Sequence, residues 1–151
     1  MKYLVVATPD ELQLPLAQAA AETYTPIITG VGGTNVIQML QHLPREAEIF
    51  NIGHAGSQCF ERGSKVIISK VKLWHPNCTF DEPVFRIGDG AFWCLTAGDF
   101  VTSGQLPPLS CVDMELAYIA ALGFTNLRSV KYISDALSYS EYAARNAAKT
   151  S

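Results

Sequence analysis

The chain predicts an α/β domain with a mostly parallel central β-sheet flanked by helices. Three observations carry this. Short apolar runs rich in Val and Ile recur along the chain, the pattern of strands buried on both faces. Segments with apolar residues at helical spacing lie between them. Several runs end in glycine-rich or acidic turns, where ligands sit in open α/β sheets. The whole chain, 1–151, reads as a single domain without repeats, low-complexity tracts or interdomain linkers.

"YLVVA" (3–7) reads as the first strand. In "TPDELQLPLAQAAAETY", Thr8 is placed as a cap and Pro9 at the first helical position, and Pro15 marks the start of the regular helix. "TPIITGVGG" (25–33) is a strand running into a glycine turn. "TNVIQMLQHL" (34–43) is an amphipathic helix with Val36, Ile37, Leu40 and Leu43 at helical spacing. "AEIFNIGHAGS" (47–57) is a strand with a second glycine turn, and "KVIISKVKLW" (65–74) is a strand. Residues 75–91 are rich in turn formers. "FWCLTAGDFVTS" (92–103) is strand then loop, "GQLPP" is a break, and a helix is expected over 112–122, ending near Gly123. "RSVKYISD" (128–135) is strand then turn, and Ser138 with Glu141 forms a capping box for a last helix at about 139–149.

Composition narrows the function classes. The chain is 48% hydrophobic and 17% charged, a globular balance. Its net charge of −3 and scattered basic residues predict neither a nucleic-acid nor a membrane-surface partner. No apolar run approaches the ~18 residues of a membrane span. The start "MKYLVVATPDELQ" is too short in its apolar run for a signal peptide, so a cytoplasmic location is expected. Cys59, Cys78, Cys94 and Cys111 form no CxxC pair and no ligand spacing with His42, His54 or His75. They read as buried thiols rather than a metal site, and no metal or other cofactor is expected.

The motifs exclude some chemistry. "TGVGGTN" has Asn35 where a dinucleotide fingerprint needs its third glycine, and no G-K-[ST] follows. Close backbone packing or a small-anion nest remains open for it. There is no G-x-S-x-G elbow, and a lone histidine between glycines, His54 in "GHAGS", is more often structural or incidental than catalytic. The acids Glu11, Asp113, Glu115 and Asp135 all fall near the carboxyl edge of the sheet. Each has a plainer reading: "TPDE" as a capping box, Asp135 as a turn cap, and the acids of "SCVDMELAYIA" as complements to a helix dipole.

Taken in chain order, "VVATPDEL", "TGVGGTNV", "NIGHAGS", "GDFVTS", "VDMELAYIA" and "VKYISDALS" resemble the nucleoside phosphorylase and nucleosidase superfamily, nearest to methylthioadenosine/S-adenosylhomocysteine nucleosidases. The "DMELAYIA" and "YISD" segments are the most specific. The resemblance implies a phosphorylase/hydrolase-like fold and cleavage of a purine N-glycosidic bond, which leaves positive charge on the ribose and negative charge on the base. Asp135 matches the general acid that protonates the purine at N7, and Glu11 the acid that positions and deprotonates the attacking water. Glu115 matches the carboxylate that accepts hydrogen bonds from the ribose hydroxyls, with Met114 packed under the sugar. Phe100 matches the aromatic stacked on the base, Val101 the backbone that reads its edge, and Ser134 a support for the Asp135 loop. Asp113 is left to cap or support the helix.

The chain also departs from the pattern. It is shorter than typical members between "KLWH" and "FWCLTAGDF", a region that supplies pocket wall in the family. His54 stands where nucleosidases carry a small hydroxyl residue, close to the water or anion site. No arginine stands near Gly30–Gly33 or Asn51–Gly56 to clamp phosphate, which favours hydrolysis over phosphorolysis. Glu11 aligns after a one-residue gap. The expected function is a purine nucleosidase acting on methylthioadenosine, S-adenosylhomocysteine or a related nucleoside. The alternatives are a phosphate-dependent phosphorylase and a silent nucleoside-binding relative. A homo-oligomer, dimer or larger, is implied, with Phe80, Phe85 and Trp93 either serving its interface or lying in the core.

Overall fold

The apolar run at the N-terminus forms β1 (Lys2–Val6), and it sets the frame of a computed structural model that describes residues 1–75, 85–98 and 106–137. A 3-10 turn at Pro9–Gln13 follows, then α1 (Pro15–Ala20), β2 (Thr25–Ile28), α2 (Gly33–Leu40) and the long β3 (Glu48–Gly56). Next come β4 (Lys65–Ile67), β5 (Lys70–Leu73), β6 (Phe85–Arg86), β7 (Trp93–Thr96) and β8 (Ser110–Asp113). The described part closes with α3 (Leu116–Ala121) and β9 (Asn126–Asp135). The predicted α/β class with a mostly parallel sheet is the class found.

β1 lies between β2 and β3 and is parallel to both. β9 runs parallel to β3 from Glu48↔Asn126 to Gly56↔Asp135, with a register shift at Ala55/Gly56. The far end of β3 meets β8 through Gly56↔Val112, and β8, β7 and β5 continue in parallel. β4 and β6 add antiparallel pairs, to β9 and β5. Successive residues of a strand face opposite sides. Leu4 and Val6 therefore join Ala17, Ala20, Phe50 and Ile52 on one face, while Val5 packs with Val36, Leu40, Leu116 and Ile119 on the other. Gly33 lets α2 approach α3, because a Cβ there would lie 2.5 Å from the Tyr118 ring.

Three expectations need correction. Residues 110–113 are a fully buried strand, and the helix begins only at Leu116. Ser, Cys, Val and Asp are weak helix formers, and pairing with β7, Trp93↔Ser110 to Thr96↔Asp113, takes them into the sheet. The single strand expected over 65–74 is two. Ile68 donates its N–H to Ser129 and Ser69 to Phe92, so the chain changes partner strand at this point. Of the two readings left open for Trp93 and Phe85, the core is the one found: Trp93 lies beside Leu95, Val112 and Leu137, and Phe85 is partly buried against the core. Cys59 is exposed, whereas Cys94 and Cys111 are buried thiols as expected. Phe80, Cys78, Phe100, Val101 and the helix expected at 139–149 lie outside the described residues. No helix among the described residues is long and apolar enough to cross a membrane.

Candidate active site

Glu11 follows β1 in the 3-10 turn and is 4% exposed. Its Oε1 accepts the N–H groups of Ala7 (2.8 Å) and Thr8 (3.2 Å), and its Oε2 accepts that of His54 (2.7 Å). The Thr8 bond is one arm of the capping box read from "TPDE". The bond to His54 is not local: it pins the turn onto β3. A Cβ on Gly53 would lie 2.9 Å from Glu11 Oε2 and 3.3 Å from Lys131 Nζ, so glycine is what brings carboxylate and ammonium against the strand. The His54 ring sits beside the same group, with Nδ1 3.6 Å from Glu11 Oε2 and 3.9 Å from Asp10 Oδ2.

Lys131 was invisible as a site residue in the sequence. It lies in the middle of β9, is 1% exposed, and places Nζ 2.9 Å from Asp113 Oδ2. Asp113 also accepts the Thr96 hydroxyl at Oδ1 (2.6 Å) and the Leu116 N–H at Oδ2 (2.8 Å), while Thr96 Oγ1 accepts the Ala117 N–H (2.8 Å). Asp113 thus supports the start of α3, as expected, and neutralises a buried cation. Burial alone would raise its pKa, but the Lys131 ammonium, the Thr96 hydroxyl and the Leu116 N–H hold it below the ordinary value. Burial disfavours the charged lysine too, yet Asp113, Glu115 and Glu11 raise its pKa further above the usual range. The available signal was a lysine inside the apolar run "SVKYI": a charge at a doubly covered strand position needs a buried counter-charge.

Glu115 is 8% exposed and accepts the Gly32 N–H at Oε2 (2.9 Å). That N–H is presented by the glycine turn, where Gly30 and Gly32 take φ of +88° and +92°, a region that L side chains rarely adopt. The turn therefore serves close backbone approach to a carboxylate. Burial, and then the like charge of Asp113, push the Glu115 pKa up to about 7 against the opposing pull of Lys131 and the Gly32 N–H. Met114 is half-buried between the two acids.

Asp135 ends β9 and is 2% exposed. Its Oδ1 accepts the Leu137 N–H (2.9 Å) and its Oδ2 the Ser134 hydroxyl (3.1 Å). A Cβ on Gly56 would lie 2.5 Å from Asp135 Oδ1, so the second glycine turn keeps room for this carboxyl. Glu11 adjoins β3 at Gly53–His54, and Asp135 at Gly56. Three residues of strand separate these points, about 10 Å. The structure thus gathers Glu11 and Glu115 near Lys131, sets His54 against Glu11, and places Ser134 and Asp135 farther along β9. No cluster of potential metal ligands occurs among the described residues. An apolar cleft of about 660 Å³ lies elsewhere, between Ile67, Ile87, Phe92 and Val130, and none of the acids lines it.

No family model matches the chain, and neither does any curated protein. Solved structures do. The methylthioadenosine/S-adenosylhomocysteine nucleosidase of Neisseria meningitidis, in complex with methylthio-immucillin-A, is similar at TM-score 0.71 and 15% identity, covering 97% of this chain and 91% of that one. The futalosine hydrolase of Helicobacter pylori is similar at TM-score 0.67 and 13% identity, covering 95% and 88%. A nucleosidase from Chlamydia trachomatis, bound to methylthioadenosine, is similar at TM-score 0.67 and 19% identity, covering 97% and 89%. The fold expected from the motifs is the fold found, shared with these solved nucleosidases and the futalosine hydrolase.

Proposed function

We propose that this chain hydrolyses the N-glycosidic bond of a purine nucleoside of the methylthioadenosine, S-adenosylhomocysteine or futalosine type. The observation that carries the reading is the arrangement of buried acids along β9: Glu11 and Glu115 near Lys131, Asp135 at the strand end. The sugar lies at the Glu11 and Glu115 end, with Met114 beside it, and the base lies toward Asp135. Water attacks the anomeric carbon, the C–N bond breaks, its electron pair leaves with the base, and Asp135 supplies the proton to the purine. Glu115 accepts hydrogen bonds from the ribose hydroxyls and opposes the positive charge that develops on the sugar. Phe100 and Val101 retain their proposed roles against the base. The likeness to solved nucleosidases supports the reading through the fold alone.

The test is base release. The protein is incubated with methylthioadenosine, S-adenosylhomocysteine, inosine and futalosine-like compounds, with and without phosphate, and followed by chromatography. Release without phosphate is expected. Release only with phosphate assigns a phosphorylase, and no release from any compound by folded protein assigns a silent binding relative.

The Glu115 pKa sets a further expectation. Its ionised form is the one that opposes the sugar cation, so kcat/KM rises with pH through about 7, and Glu115→Gln removes that part of the rise. Stability moves oppositely. A carboxyl whose folded pKa is raised from 4.5 favours folding below that value, and the gain is lost as pH climbs through about 7. A pH profile of initial rates, paired with melting curves, checks both signs.

A further inference from the structure

We infer that the apolar cleft between β4, β9 and the segment joining β6 to β7 is a second binding site, for an apolar carboxylate with a single negative charge. Its volume of about 660 Å³ lies in the range of small-molecule sites. None of Glu11, Asp113, Glu115 and Asp135 lines it, so the site stands apart from the hydrolytic reading above. Its floor is one face of the sheet. Arg128 and Val130 are two apart on β9 and point the same way. Phe50 on β3 is the register partner of Arg128, and Ile67 on β4 that of Val130, so all four side chains share this face. Phe50 and Val130 are each 7% exposed, whereas Ile67 is 65% exposed. A ligand chain laid against Ile67 removes that apolar surface from water.

The wall opposite is fixed to the sheet. Ile87 donates its N–H to the Ser69 carbonyl (2.9 Å), Ser69 donates its own to Phe92 (3.0 Å), and Gly90 donates to Ser69 Oγ (2.9 Å). Arg86 Nη1 holds the Gly88 carbonyl at 3.2 Å. A Cβ on Gly88 or Gly90 would lie 2.9 or 2.8 Å from Ser69 Oγ, so glycine is what lets this wall close on the serine. The cleft is therefore formed before a ligand arrives.

Charge selects the occupant. Arg128 holds its guanidinium carbon 4.5 Å from the centroid of the Phe50 ring and donates through Nη2 to the Tyr24 hydroxyl (2.9 Å). That hydroxyl donates onward to Glu48 Oε2 (3.3 Å), so the cation is anchored in advance. A guanidinium carries five N–H donors in a rigid fork. Among the described residues, Tyr24 is the one hydrogen-bond acceptor that Arg128 meets, and no carboxylate pairs with it. The remaining donors suit a carboxylate at the cleft mouth. Asp89 stands on the opposite wall, also without an ion pair among the described residues. Its charge repels a second negative group, so a monoanion is accepted and a polyanion is disfavoured.

The probes are decanoate and decanol, which share a chain and differ in charge. Titration calorimetry on the full chain is expected to show decanoate binding more tightly. Arg128→Met keeps an apolar cover on Phe50 and removes the cation. It is expected to weaken decanoate about tenfold and leave decanol unchanged. Ile67→Asp is expected to weaken both probes, and the exposed position accepts the change without loss of fold, which circular dichroism checks. Equal affinity for the two probes, or an Arg128→Met loss shared by decanol, overturns the assignment. Binding of neither probe by folded protein overturns it as well, and leaves the cleft to the chain's own residues 138–151. A dimer in sedimentation that Ile67→Asp dissociates overturns it in favour of a second copy of this chain.

Discussion

Replacing Lys131 with Met is expected to destabilise the fold by about 3–5 kcal/mol, because it leaves the Asp113 carboxylate charged and unpaired in the core. The two side chains are 1% and 0% exposed, so solvent cannot take over the role of the ammonium. Thr96 and the Leu116 N–H would still bind Asp113, but both are neutral donors. The loss should shrink at acid pH, where Asp113 takes up a proton. In the intact protein the Asp113 contribution is present above its ordinary pKa of 3.8 and is lost as pH falls through the lowered folded value. The Lys131 contribution is present below 10.5 and is lost only as pH rises through its raised folded value. Denaturant melts of Lys131→Met and of Lys131→Met with Asp113→Asn check this. The double variant, which removes the stranded charge, should be less destabilised than the sum of its parts. Additive losses would mean that the pair does not act as a unit.

Asp135→Asn is expected to reduce base release about 10²- to 10⁴-fold, the usual contribution of a positioned general acid. Asn can still accept the Leu137 N–H through its carbonyl oxygen, and its NH2 can donate to the Ser134 hydroxyl, which turns round to accept. The loop should therefore keep its shape and substrate should still bind, with kcat falling more than KM changes. Single-turnover rates and a ligand-binding titration separate these quantities. Full turnover in Asp135→Asn would remove the general-acid role. A fall confined to KM would make Asp135 a binding group.

Much of the frame was legible because it is local. The runs that became β1, β3 and β9 carry apolar patterns that few alternatives satisfy, and Pro15 does start a regular helix. The acids of the site were legible as residue types at strand ends. What was hidden is non-local. "SCVDMELAYIA" passes from weak helix formers, Ser110 to Asp113, to strong ones from Met114 on, and pairing with the neighbouring β7 makes its first four residues a strand. Lys131 reads in isolation as a wet residue of β9. Its meaning depends on Asp113, Glu115 and Glu11, which reach it from other segments. The glycine turn showed that backbone would approach something closely, but not that the partner was Glu115.

The place of β9 has a consequence for how the chain is made. It fills the sheet beside β3, and Ser129 bonds Asn51 across 78 residues of sequence. β1, β2 and β3 leave the ribosome long before this neighbour exists, with the β3 flank open. Pairing across so long a loop is slow, and exposed strand edges associate with one another while they wait. Synthesis truncated before Asn126 should therefore yield aggregating chains, whereas release of residue 135 lets the central pair zip. Glu11 and Asp135 lie on segments far apart in the chain, so the site assembles only once β9 has paired with β3.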